Sequence, residues 1–151
     1  MDARVGSRED PVQKVRGIVF HPQGLILMRR IRKNSQGVEV QYYVFPGGGR
    51  EIGETLEQCL MREVHEEAGV DVKIEKEFTR LNFETKEEVF FFCRYAGGKV
   101  GSGTGPEFTK ARIEERGLYI AEIVPLEKIA ELDLKPYTIK QKLLKELPHV
   151  G

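Results

Sequence analysis

Residues 48–70, GGREIGETLEQCLMREVHEEAGV, constrain this chain more than any other stretch of it. A glycine-rich turn leads straight into a glutamate-rich segment with helical spacing. At about 100° per residue, Glu63, Glu66 and Glu67 fall within roughly 100° of arc on one side of a helix. Leu56, Leu60, Met61, Val64 and Ala68 make an adjoining apolar side, expected to face a core. Like charges crowded beside a buried face repel unless something cationic lies among them. Arg62, next to Glu66 in projection, is one counter-charge, and a hard divalent ion with oxygen ligands is another. Pro46-Gly47-Gly48-Gly49 removes side chains ahead of the helix, so that backbone can approach an anion or offer a carbonyl to a metal. Gly69 reads as the helix stop. A glutamate-rich amphipathic helix is commonly only a solvated face, and Glu66-Glu67 alone would signify no more than that.

The fixed positions go further. Gly48 is followed by Glu54, then by Arg62-Glu63, Val64, Glu66-Glu67, Gly69 and Val70. This series resembles the box of the Nudix hydrolase family at every position. Tyr43-Val44-Phe45-Pro46 before it and Val124-Pro125-Leu126 after it agree with the resemblance. What the resemblance implies is an α/β fold, a Nudix-type α/β/α sandwich with a mixed β-sheet. The implied activity is hydrolysis of a nucleoside diphosphate linked to another moiety, supported by Mg²⁺ or Mn²⁺. Glu63, Glu66 and Glu67 are then the expected metal ligands, with the Gly47 carbonyl as a non-carboxylate donor. Glu63 is the in-box candidate to take a proton from the attacking water, and Arg62 an orienter of a neighbouring glutamate. Glu54 sits near the helix start, where the dipole favours negative charge. It joins Gly48 among the residues expected around the substrate.

The remainder of the chain reads as strands interleaved with few helices, which suggests a sheet covered on both faces. Strands are expected over Val12–His21, Leu25–Met28, Val38–Phe45, Val70–Phe83, Val89–Tyr95 and Leu118–Val124, the first two as a hairpin about Pro22-Gln23-Gly24. Arg29–Gly37, basic and polar, reads as a loop or frayed strand end. A short helix is expected near Leu126–Leu132. Another is expected over Pro136–Leu147, with Ile139, Leu143, Leu144 and Leu147 on one face. The 151 residues make one ordinary domain, 1–151, in which the charged segment 1–11 is expected to be a disordered tail.

Lys+Arg and Asp+Glu are equal at 24 each, so no global field draws in nucleic acid, and a polymeric nucleic-acid partner is not expected. Cys59 and Cys93 form no CxxC pair; reduced buried thiols and a cytoplasmic location are expected. The first residues lack an apolar signal segment and no apolar run reaches membrane-spanning length. Homodimerisation is left open.

Gly97–Gly117, GGKVGSGTGPEFTKARIEERG, has no convincing period, and loops this long are either binding loops or mobile excursions. Nudix enzymes often recruit a further glutamate from outside the box. Glu107 is the favoured candidate as an additional metal ligand here, with Glu87, Glu88, Glu114 and Glu115 as rivals. On the substrate side, Arg16, Arg29 and Arg30 are candidates for phosphates, and Phe83, Phe91 and Tyr119 for stacking on a base. For the aromatics, sheet packing is the commoner role. The family acts on (d)NTPs, oxidised nucleotides, ADP-ribose, NADH, dinucleoside polyphosphates, nucleotide sugars and capped RNA ends. Two downstream selectors are missing: no proline lies between Pro46 and Pro106, and Lys86-Glu87-Glu88 stands where dinucleoside-polyphosphate hydrolases carry a tyrosine. The expected substrate is a small nucleotide. The intact glutamates argue against a nucleotide-binding regulator, which would have lost one, and against an isomerase on the same fold.

Overall fold

The computed structural model describes residues 12–105 and 110–150. The expected tail therefore lies outside the described residues, as does Glu107. Eight strands form one mixed sheet: β1 (Val12–His21), β2 (Gly24–Lys33), β3 (Glu39–Val44), β4 (Gly47–Gly49), β5 (Val70–Asn82), β6 (Lys86–Gly98), β7 (Leu118–Val124) and β8 (Leu134–Lys135). The helices are α1 (Leu56–Ala68), α2 (Lys110–Arg116) and α3 (Tyr137–Val150), with a 3-10 turn over Leu126–Glu131. The strand order β5-β6-β1-β2-β3-β8 contains parallel pairs, β1 with β6 and β3 with β8, among antiparallel ones.

The sheet forks. β1 meets β2 only over Val19–His21, next to the hairpin turn. Farther back along the same edge, Lys14–Arg16 pair with β4 instead. β2 likewise leaves β1 and pairs with β3 from Met28 to Lys33, while β7 covers its other edge. The glycine strand thus fills the fork between two diverging halves. Gly47, at φ 153°, lies so close to the Val15 carbonyl that a Cβ there would overlap it, which is why this strand has no side chain at that point.

Alternation along the central strands buries both faces. Val15, Val19, Ile26, Met28, Val89, Phe91 and Cys93 pack with Cys59, Leu60, Val64 and Ala68 of α1. Ile18, Leu25, Leu27, Phe90 and Phe92 turn the other way, against Ile129, Ile139 and Leu143. This is the expected α/β/α layering. Among the described residues, no helix is long and apolar enough to cross a membrane.

Four details differ from the sequence reading. β2 continues to Lys33, because β3 pairs with the basic stretch Arg29–Lys33 along its length and β7 pairs with its other edge as far as Ile31. β6 starts at Lys86 rather than Val89, since β5 and β1 both supply partners that far back. The irregular segment after β6 contains α2. Met61 is 45% exposed, for the buried arc of α1 is rotated toward Glu67 and takes in Cys59 instead. Both cysteines are free and buried, and burial pushes each thiol up to about 12.

Candidate active site

α1 is held at both ends. Thr55 Oγ accepts from the Gln58 amide at 3.0 Å while Gln58 Oε1 accepts from the Thr55 amide at 2.9 Å, a reciprocal cap. Gly69, left-handed at φ 78°, closes the other end, its amide bonded to the His65 carbonyl. Between these ends Arg62 serves as the internal counter-charge. Its Nε and Nη2 donate to the two Glu54 oxygens at 2.6 and 2.9 Å, its Nη1 to Glu63 at 3.0 Å and Glu66 at 3.3 Å, and its Nη2 also to the Gly49 carbonyl at 3.2 Å. The bidentate Arg62 contact, followed by the Glu51 amide, holds the Glu54 carboxyl down at about 2.

This arrangement sorts the glutamates. Glu54 and Glu66 are engaged with Arg62 and do not line the cleft. Glu63 and Glu67 do line it, with Gly47, Gly48 and Gly49. Glu67 is only 6% exposed, and its Oε1 accepts the Gly47 amide at 2.8 Å. Glu63 lies across Gly48 so closely that a Cβ at that position would overlap its carboxyl group. Helix and glycine strand are therefore joined through the two carboxylates themselves.

The rest of the lining is largely basic. Lys14 and Arg16 of β1, Arg30 of β2 and Arg116 at the end of α2 line the same cleft, of about 330 Å³, along with Val44 and Tyr119. Burial, and then repulsion from Arg16, lowers the Lys14 pKa. Arg16 donates to Glu88 at 2.9 Å, to the Phe45 carbonyl at 3.1 Å and to the Gly47 carbonyl at 3.4 Å. Arg30 stacks 4.2 Å over the Tyr119 ring and donates to Tyr42 Oη at 3.1 Å and to the Arg116 carbonyl at 2.7 Å. Its Nε is buried without a hydrogen-bond partner.

Of the candidate substrate residues, Arg16, Arg30, Gly48 and Tyr119 come together in the cleft. Arg29 does not: it donates to Glu122 at 2.7 Å and Gln41 at 3.2 Å. Phe91 is buried in the core and Phe83 sits exposed between β5 and β6. Glu87 is occupied by Gln13 and Arg80, Glu88 by Arg16, and Glu115 is exposed beside Arg116. Lys14 and Arg116 were missed. Lys14 stands two residues from Arg16 on one strand, so period-two reasoning reaches it. Arg116 arrives from a distant segment, and no local signal marks it.

Among the described residues, no group of three or more His, Cys, Asp or Glu converges to hold a metal. The cleft offers two carboxylates and glycine backbone, unlike a closed four-ligand zinc site. Such a donor set fits Mg²⁺ or Mn²⁺. Mg²⁺ in particular takes one or two carboxylates and leaves its other positions to water and substrate phosphate.

Comparison with known proteins returns a match to the NUDIX domain model over residues 11–145. A 60-residue stretch is 43% identical to the NAD-capped RNA hydrolase NudC of Vibrio atlanticus (strain LGP32), covering 38% of this chain and 22% of that protein. The chain thus spans well under half of that relative. A NUDIX hydrolase from Nitrosomonas europaea superposes with a TM-score of 0.69 at 20% identity, over 93% of this chain and 73% of that one. An ADP-ribose pyrophosphatase from Streptococcus suis gives 0.51 at 21% identity, over 77% and 79%.

Proposed function

Since the chain belongs to the NUDIX family, we propose that it hydrolyses a small nucleotide carrying a diphosphate, such as a (d)NTP or an oxidised nucleotide, with a divalent cation. The observation that carries this reading is that Glu63 and Glu67 line one cleft together with glycine backbone and four basic side chains. A diphosphate needs both: cations to neutralise its oxygens, and carboxylates to hold Mg²⁺ or Mn²⁺ against it.

Bound there, the cation would lower the pKa of a water and polarise the phosphorus. Glu63 and Glu67 would hold it, with the Gly47 carbonyl as a further donor; Glu66, expected from the sequence as a ligand, is turned to Arg62 off the cleft. Glu63 takes the proton of the attacking water as its oxygen bonds to phosphorus. The bond from that phosphorus to its bridging oxygen breaks, leaving a nucleoside monophosphate and a second phosphorylated product. Arg62 keeps Glu63 oriented. Lys14, Arg16, Arg30 and Arg116 neutralise phosphate oxygens, and Tyr119 with its stacked Arg30 offers a surface to the substrate. The chain works as one domain in the cytoplasm.

The identity with an NAD-capped RNA hydrolase favours a second reading, a capped RNA end as substrate. One experiment separates the two. A panel of (d)NTPs, oxidised nucleotides, ADP-ribose, NADH and NAD-capped RNA is incubated with Mg²⁺, Mn²⁺ or chelator, with Glu67→Gln as control. The expected result is metal-dependent release from a small nucleotide, lost in the variant. Cleavage of the capped RNA alone would select the second reading, and an undiminished Glu67→Gln would remove Glu67 from the mechanism.

A further inference from the structure

The segment after β6 is pressed against the C-terminal end of α1. A helix leaves its last four carbonyls without helical partners. Here Gly69 N–H takes the His65 carbonyl at 3.0 Å, and the segment takes others: Gly105 N–H bonds to the Glu66 carbonyl at 3.0 Å, Gly101 N–H to the Ala68 carbonyl at 3.0 Å and Ser102 Oγ to the Gly69 carbonyl at 3.3 Å. Ser102 is itself braced, its hydroxyl also donating to the Lys99 carbonyl at 2.7 Å. Gly103 lies flat on the helix end, where a Cβ would overlap the carbonyl oxygens of both Glu66 and Glu67. A Cβ on Gly69 would likewise overlap Ser102 Oγ. Gly103 thus has a contact reason beyond flexibility, while Gly101, at φ 97°, has a conformational one.

We infer that residues 99–105 are a positioning strap for Glu67, with Gly103 its critical residue. Glu67 is fixed at two points: its carboxylate on the Gly47 amide, and its own backbone under Gly103. Displacing the second point tilts the last turn of α1 and moves the carboxylate off the glycine strand. No residue of the strap lines the cleft, so it acts through Glu67 and not on substrate. This inference rests on the proposed metal role of Glu67.

The test is Mn²⁺ binding, read by electron paramagnetic resonance without substrate, together with thermal unfolding, in wild type, Gly103→Ala, Ser102→Ala and Ile129→Val. Ile129 is fully buried in the other core layer and serves as a stability-matched control. Gly103→Ala is expected to weaken Mn²⁺ binding by about tenfold or more, the range for residues that orient ligands. Ile129→Val should bind as wild type does. A folded Gly103→Ala protein with wild-type Mn²⁺ affinity overturns the strap. If that variant does not fold, Ser102→Ala decides: weaker binding supports the strap and unchanged binding overturns it. Wild-type protein that binds no Mn²⁺ overturns instead the metal reading on which the strap depends.

Discussion

At Glu54 the chemistry of one residue can be read from pH. The Arg62 guanidinium holds its carboxyl at about 2, against an ordinary 4.5, so the folded state favours the ionised form. Its contribution to stability is complete above about pH 4.5 and is lost as the pH falls toward 2. Thermal unfolding of Glu54→Gln should therefore depend less steeply on pH across that window than wild type, and equal slopes would refute the pairing. Gly48 supports a second residue-scale prediction. Ala at 48 would collide with the Glu63 carboxyl, so turnover should fall by about tenfold or more while the fold persists. Wild-type turnover in that variant would mean that the Glu63 position does not matter. The box glutamates were legible individually, because their spacing is itself the signal. Which of them line the cleft was not, since projection put Arg62 beside Glu66 and gave no hint that Glu54 is its bidentate partner.

Elements were legible where one face is buried and the other solvated, or where hydrophobic runs are bounded by turns. β1 and β7 stand at their expected limits, and α1 ends at the glycine its sequence announces. Legibility failed where tertiary pairing overrode composition: Arg29–Lys33 looks like loop but is paired throughout with β3, and as far as Ile31 with β7 as well. It failed again after β6, where Gly101 and Gly105 bond to, and Gly103 packs on, the end of a helix distant in sequence. The cap at Thr55 yields a prediction for the whole helix. Thr55→Ala removes the hydroxyl acceptor for the Gln58 amide and should lower stability by about 1 kcal/mol. For a chain of this size that is a melting-temperature fall of about 2–4 °C. Mn²⁺ affinity should be kept, because the cap lies at the opposite end of α1 from Glu67. A loss of affinity equal to that of Gly103→Ala would show that any loosening of α1 empties the site.

Across the whole molecule the two core layers have separate duties. The layer holding α1 backs the cleft, and the layer holding Leu143 and Ile139 of α3 backs the opposite face. Leu143→Ala should cost about 2–5 kcal/mol in chemical denaturation yet leave turnover per folded molecule unchanged. A proportional fall in turnover would mean the sheet transmits strain between the layers. Overall neutrality also hides local order, for a chain with equal numbers of acids and bases gathers four basic side chains beside two glutamates in one cleft, which composition cannot register.

The fork in the sheet bears on how the chain can be made. Synthesis delivers β1 first, yet one edge of β1 belongs to β6, and one edge of β2 to β7. When α1 leaves the ribosome, its apolar side finds only the β1–β2 hairpin and the glycine strand to rest on. The cleft is incomplete until the strand ending at Val124 has emerged, because Tyr119 belongs to that strand and Arg116 lies just ahead of it. Contacts spanning so much of the chain are slow to form. A nascent chain stalled before Leu118 would carry the complete acidic helix and still have no working cleft.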